Sequence, residues 1–167
     1  MPSLKQVFSH PRNSFSASHF LIGYGKCERL HGHNYFVKVQ IDYNQSESKS
    51  TIDFREINSV IQEAIRVLHH KILIPKDSQE INISSSLDDR NWLVEVREKT
   101  YSFPKKDVLI LEGIQQTTAE SIAIYMNKKL VSWIEKNYPT SVCSLEVSIT
   151  ENLGNEVKFA AKILQKG

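Results

Sequence analysis

Cysteine is scarce in this chain: Cys27 and Cys143 are the only two among 167 residues. That excludes a disulfide-built scaffold. An excess of charge is missing as well, since 21 Lys and Arg against 19 Asp and Glu leave a net +2. No clustered basic stripe stands out, so a nucleic-acid surface held by phosphate contacts is not expected. No apolar run approaches the length of a membrane span, and Met1 to Gln6 lacks the apolar centre of a secretion signal. Internal repeats and low-complexity tracts are absent too. The expectation is a cytoplasmic protein with neither nucleic acid nor membrane as partner. What is present, 40% hydrophobic residues, suffices for one domain over residues 1–167 with a real core.

The chemistry concentrates in Cys27-Glu28-Arg29-Leu30-His31-Gly32-His33-Asn34-Tyr35. This stretch runs into an alternating segment, Tyr35 to Tyr43, which has the period of a half-buried strand. If the strand begins at His31, then His31 and His33 share a face. His19 closes an earlier extended piece, Phe15 to His19, that would lie alongside as the partner strand. Three neutral imidazoles around Zn²⁺ leave one position open, as in a catalytic site. Two other readings stay open. Cys27 as a fourth ligand would make a closed structural centre, and the same residues would also serve as ordinary core. As a base, Cys27 needs thiolate character, which Lys26, Arg29 and a nearby cation would favour.

Along the chain, two short extended pieces precede the central strand, and Asn44 to Ser50 reads as a loop. Asp53 is a good N-cap, with Glu56 placed for a capping box. Phe54, Ile57, Ile61, Ala64, Ile65 and Leu68 recur at helical spacing up to His69-His70-Lys71. Between 76 and 107, Ile81 to Ile83 and Trp92 to Arg97 suggest an inserted hairpin, and Val108 to Leu111 a further buried piece. Thr117-Thr118-Ala119-Glu120 opens a second helix that runs to about Asn137, closed by Pro139. Leu145, Val147 and Ile149 alternate toward Glu151, and a turn at Gly154 leads to a last strand from Val157 to Ile163. The fold class is therefore α+β: a four-stranded antiparallel sheet with two helices on one face, plus the inserted hairpin.

Phe15-x-Ala17-x-His19, followed by Cys27-x3-His31-Gly32-His33-x-Tyr35, resembles the signature of the 6-pyruvoyl-tetrahydropterin and 6-carboxy-tetrahydropterin synthases. Ile52-Asp53-Phe54, His70-Lys71, Thr118-x-Glu120 and Glu151 fall in the order of that family, so the resemblance covers most of the chain. It implies the tunnelling fold (T-fold), with trimers closing a barrel of sheets, pairs of trimers forming a hexamer, and active sites between subunits. It also implies 7,8-dihydroneopterin triphosphate as substrate, zinc held by His19, His31 and His33, and Cys27 and His70 as catalytic groups. Glu151 would anchor the pterin, and Glu120 and Thr118 would line its pocket, although capping by Thr117 with Glu120 accounts for that segment without a ligand.

The product expected from this resemblance is 6-carboxy-5,6,7,8-tetrahydropterin, on the route to deazaguanine nucleosides such as queuosine. Alternatives are the pyruvoyl product of a tetrahydrobiopterin-type route, and a non-catalytic zinc oligomer that binds pterin. One position departs from the pattern. His69 stands where the family carries an aspartate beside its catalytic histidine, which predicts a weaker relay through His70.

Overall fold

The computed structural model describes residues 4–43, 51–138, 142–152 and 154–163. The loop expected at Asn44 to Ser50 and the helix-closing Pro139 lie outside them. The backbone of the fold is β3 (His31–Tyr43), whose odd-numbered residues from Tyr35 to Tyr43 are all buried, as its alternation predicts. Along one side it pairs with β2 (Ser14–His19) and then β1 (Lys5–Phe8); along the other it pairs with β9 (Val142–Asn152). Beyond β9 lies β10 (Asn155–Lys162), joined through a turn at Gly154 whose φ of 93° suits glycine. All of these pairs are antiparallel.

The expected four-stranded antiparallel sheet, β2-β3-β9-β10, is one side of a larger one, so the count needs correction. The whole is a mixed sheet of seven strands. Lys71–Pro75 forms β4, parallel to β2, and Val108–Leu111 forms β8, parallel to β4. A strand covered on both sides carries an unbroken apolar run, here Ile72-Leu73-Ile74, without the alternation that marks a strand in a sequence. β4 runs parallel to β2 because the antiparallel β3 lies between them in the chain and has already carried it back past the end where β2 starts.

Helix α1 (Phe54–Leu68) is capped by Asp53, whose side chain accepts the Arg55 N–H at 2.7 Å. The Glu56 carboxylate takes the Tyr138 hydroxyl, so it ties the two helices' ends together. Ile57, Ile61, Ile65 and Leu68 are buried, whereas Phe54 is exposed. Helix α2 (Ala119–Asn137) begins one residue later than the expected box: Thr118 caps it by accepting the Ser121 N–H. Its stripe of Ile122, Met126, Leu130 and Ile134 joins the α1 face and the inner face of the sheet in one core. Each such fully buried aliphatic side chain contributes about 1.5–3 kcal/mol. Buried Asn127 fastens α2 to both β9 and β10 by donating to the carbonyls of Leu145 and Phe159.

The expected hairpin between the helices is instead a three-stranded meander: β5 (Ile81–Ser85), β6 (Asn91–Val96) and β7 (Lys99–Pro104). The third strand escaped the sequence reading because only Tyr101 and Phe103 mark its alternation. The meander builds a second core with Phe20, Ile22, Ile74 and Val108.

Candidate functional site

The site begins with strand register. In the β2–β3 ladder His19 faces His31, and Ala17 faces His33. A two-residue spacing on β3 then places all three imidazoles on one face. Their ring centroids lie 4.6 Å (His19–His31), 5.3 Å (His19–His33) and 5.0 Å (His31–His33) apart. One nitrogen from each comes within 4.8 Å of the others. Gly32, between them, keeps the two strands close: a Cβ there would stand 3.0 Å from the Ala17 carbonyl oxygen and 3.3 Å from Ser18 Oγ, so a side chain would push against the β2 backbone.

Backbone carbonyls orient two of the rings. Nδ1 of His19 lies 2.8 Å from the Thr117 oxygen, and Nδ1 of His31 lies 2.7 Å from that of Arg29. A carbonyl only accepts, so each Nδ1 carries the hydrogen, and in the neutral tautomer that this selects Nε2 holds the lone pair. That is the tautomer a metal ligand needs, held by the outer partner that usually sets it. Thr117 comes from the start of α2, and its own hydroxyl donates to Phe20 across the same junction. From sequence, Thr117 has only a place in the helix cap and Tyr35 only a place on the strand and in the family signature, with no part in holding the imidazoles. Tyr35 sits two positions beyond His33 on the same face, stacks on Phe15 at 4.8 Å, and brings its hydroxyl to 3.3 Å from His19 Nε2. Burial, then the facing Glu151 carboxylate, pushes that phenol far up.

His19 is fully buried, and this desolvation lowers its imidazole from 6.5 to about 4, against the pull of the Thr117 carbonyl and with help from His31 and His33. The folded chain thus keeps His19 neutral where the unfolded chain protonates near its ordinary value. The folded state binds fewer protons there, so stability is full above pH 6.5 and declines toward pH 4. By about pH 4 the loss amounts to about 3 kcal/mol. Urea unfolding of the metal-free protein is expected to show midpoints falling across this window; a flat profile would contradict the assignment.

Glu151 follows the same face out of the core on β9. Its carboxylate lies 3.1 Å from His33 Nε2 and 3.5 Å from His19 Nε2. It also lines a cleft of about 630 Å³ together with Thr118, Glu120, Tyr24 and Asn155, a volume suited to a small-molecule site. The residues implied for a pterin pocket are therefore in one cleft, although Glu120 itself is exposed.

Cys27 sits in a short 3-10 turn, Gly25–Glu28, reached through Gly23 and Gly25 at φ of 83° and 57°. It is half-buried and unpaired, and its sulfur is not part of the imidazole cluster. The closed four-ligand reading thus has no support from this geometry. His70 occupies a left-handed position, φ 58°, just past the end of α1. It lines a different cleft of about 360 Å³, walled by Ser16, Gly32, His33 and Asn34. His69 stacks on His70 at 4.0 Å, while its Nδ1 accepts the Ser16 N–H at 3.1 Å. This chain thus gathers Glu151, Thr118 and Glu120 around one opening and sends His70 to another.

Two helices on one face of a curled, mostly antiparallel sheet, with three imidazoles gathered on β2 and β3, define a T-fold protein. The profile of the 6-pyruvoyl tetrahydropterin synthase family matches residues 10–162, and the chain belongs to this family of lyases. A 6-carboxy-5,6,7,8-tetrahydropterin synthase from Haemophilus influenzae is 32% identical over 124 residues, 70% of this chain and 77% of that one. A Methanocaldococcus jannaschii protein that bears the same name provisionally is 31% identical over 146 residues, 87% of this chain and 88% of its own. The crystal structure of a Plasmodium vivax 6-pyruvoyltetrahydropterin synthase matches with a TM-score of 0.86 at 26% identity, covering 98% of this chain and 100% of the other. Among the described residues no helix is long and apolar enough to cross a membrane.

Proposed function

We propose that this protein is a zinc-dependent lyase that converts 7,8-dihydroneopterin triphosphate, with loss of triphosphate, into 6-carboxy-5,6,7,8-tetrahydropterin. The observation that carries the proposal is the contact of Glu151 with two of the three clustered imidazoles at the edge of a ligand-sized cleft. His19, His31 and His33 fit a zinc ion because two present unprotonated Nε2 atoms fixed by backbone acceptors. Once bound, zinc supplies a Lewis acid that makes C–H bonds beside the substrate's hydroxyls more acidic.

The chain's own groups do the rest. Glu151 accepts two parallel N–H bonds, from the pterin 2-amino group and the ring nitrogen, a charge-assisted pair that orients the ring. Thr118 and Glu120 flank it. Cys27, delivered by the glycine turn, takes a carbon-bound proton from the side chain as general base. His70 relays protons. Its placement in a separate cleft favours an assembly in which the partner subunit's His70 completes each site, as in a trimer or hexamer. Barrel closure would also pair the outer edges of β8 and β10, which have no partner strand among the described residues. The stacking of His69 on His70 supplies no negative charge, which agrees with a relay weaker than an aspartate would give. A cytoplasmic setting, where thiols such as Cys27 stay reduced, suits this chemistry.

The carboxy product is preferred because the Haemophilus influenzae and Methanocaldococcus jannaschii relatives bear that name; a place in queuosine-type deazapurine synthesis follows from it. Mass analysis after incubating the zinc-loaded protein with the triphosphate decides. Release of triphosphate and acetaldehyde with the carboxy product is expected. Retention of the three-carbon side chain would identify the pyruvoyl-forming enzyme instead, and unchanged substrate a pterin-binding oligomer. Glu151→Gln is expected to raise KM at least tenfold, on the order of one lost charge-assisted pair, without releasing zinc. An unaltered KM would remove Glu151 from the pterin's binding site.

A further inference from the structure

The meander β5–β7 meets the site at two places, and both lie beside residues the reaction would use. Phe20, next to His19, is buried and stacks on Tyr101 of β7 with centroids 5.5 Å apart and planes 15° apart; Tyr101 in turn stacks on Phe103 at 5.4 Å. The second contact reaches the turn that carries Cys27. Arg97, in a left-handed position at the β6–β7 turn (φ 52°), donates from Nη1 to Glu28 Oε1 at 2.9 Å. Its Nε and Nη2 both meet Glu80 Oε2 at 3.0 Å, which braces the guanidinium from the far side. Lys99 Nζ donates to the Glu28 carbonyl at 3.1 Å.

Glu28 passes this hold to the turn. The same Oε1 that meets Arg97 accepts the Gly23 N–H at 2.8 Å, so one carboxylate joins the first residue of the loop to its last. Ahead of the loop, the Leu21 N–H donates to the Cys27 carbonyl at 2.8 Å, and within it the Cys27 N–H donates to the Tyr24 carbonyl at 3.1 Å. The turn has little else to define it. It is four residues long, buries none of them, and is entered through two glycines in the left-handed region. Glycine loses more freedom than any other residue on being fixed, so the place of the Cys27 sulfur depends on bonds from outside the turn.

We propose that Arg97 is a positioning residue: acting through Glu28, it holds the Cys27 turn in its catalytic place, and the meander is the platform that aims it. The proposal rests on the reading of Cys27 as the general base. A base displaced by about 1 Å costs up to about a hundredfold in rate, so a loosened turn acts on kcat rather than on binding.

The test uses the full-length, zinc-loaded protein. In Arg97→Ala, hydrogen exchange of the peptide covering 20–30 is expected to quicken about tenfold, as for one lost charged hydrogen bond, while that of α1 stays unchanged. Turnover of dihydroneopterin triphosphate should show kcat lower by about tenfold with KM within about twofold, an effect of position and not of affinity. Arg97→Lys, which keeps one donor, should recover part of both. Glu28→Ala combined with Arg97→Ala should be no slower than Glu28→Ala alone, because the two act in series. Unaltered exchange over 20–30 in Arg97→Ala overturns the proposal, as does faster exchange with an unaltered kcat. Should Arg97→Ala fail to fold, Lys99→Ala and Arg97→Lys decide by the same two readouts. Absence of turnover in the unmodified protein refutes the proposed activity alone, since the exchange measurement still judges the clamp.

Discussion

Cys27→Ala is expected to lower turnover of dihydroneopterin triphosphate by about 10²–10⁴-fold, the usual worth of a positioned general base, while zinc content stays at the unmodified level. The two halves of this result follow from one geometric fact. The three imidazole nitrogens form a cluster among themselves, and the Cys27 sulfur lies outside it. A ligand to the metal and a base acting on substrate make opposite demands on that sulfur. A ligand has to sit in the cluster, whereas a base has to stand off from it and face the reacting carbon. Zinc content by elemental analysis, read beside single-turnover rates, separates them. Metal loss in Cys27→Ala would establish the closed structural centre, and an unchanged rate would pass the base's role to another group.

His19→Ala is expected to act on both stability and metal. The side chain is fully buried at the junction of β2 with the start of α2. Truncation leaves a cavity, strands the Thr117 carbonyl that His19 now satisfies, and removes the acceptor facing the Tyr35 hydroxyl. Large-to-small changes at such sites cost about 2–5 kcal/mol, with an unsatisfied buried carbonyl adding about 1–3 kcal/mol. Urea unfolding of the metal-free protein measures this part directly, free of any contribution from bound zinc. Metal titration measures the other, and zinc affinity should fall steeply as one of three ligands goes. His31→Ala provides the contrast. His31 is only half-buried, so its loss should weaken zinc as much but destabilise the metal-free fold far less. Equal destabilisation by both would show that burial is not what sets His19 apart.

Much of this was legible along the chain. Period-two burial of β3, the buried Leu145, Val147 and Ile149 of β9, the apolar stripes of both helices, and the His31-Gly32-His33 spacing are local patterns, and they emerge in the structure where the sequence puts them. His19 was within reach of the same logic, because a partner strand to β3 with matching parity could bring it to His31, and the register does so. Glu151, Thr118 and Glu120 were reachable only through the family likeness, since a strand-end carboxylate or a helix cap looks the same with or without a ligand. The cap itself moved by one residue, from Thr117 to Thr118, and left the Thr117 carbonyl to orient His19.

The sequence by itself determined both helices, the alternating strands β2, β3, β9 and β10, and the apolar face of each, because propensity and periodicity are carried by neighbours in the chain. Only the tertiary structure decided the parallel strands β4 and β8, the third strand of the meander, the separation of His70 from the Glu151 cleft, and the meeting of Arg97 with Glu28 across 69 positions. The physical reason is that register and cross-strand contact are settled by the joint packing of distant segments. No window of the chain contains both partners of such a contact.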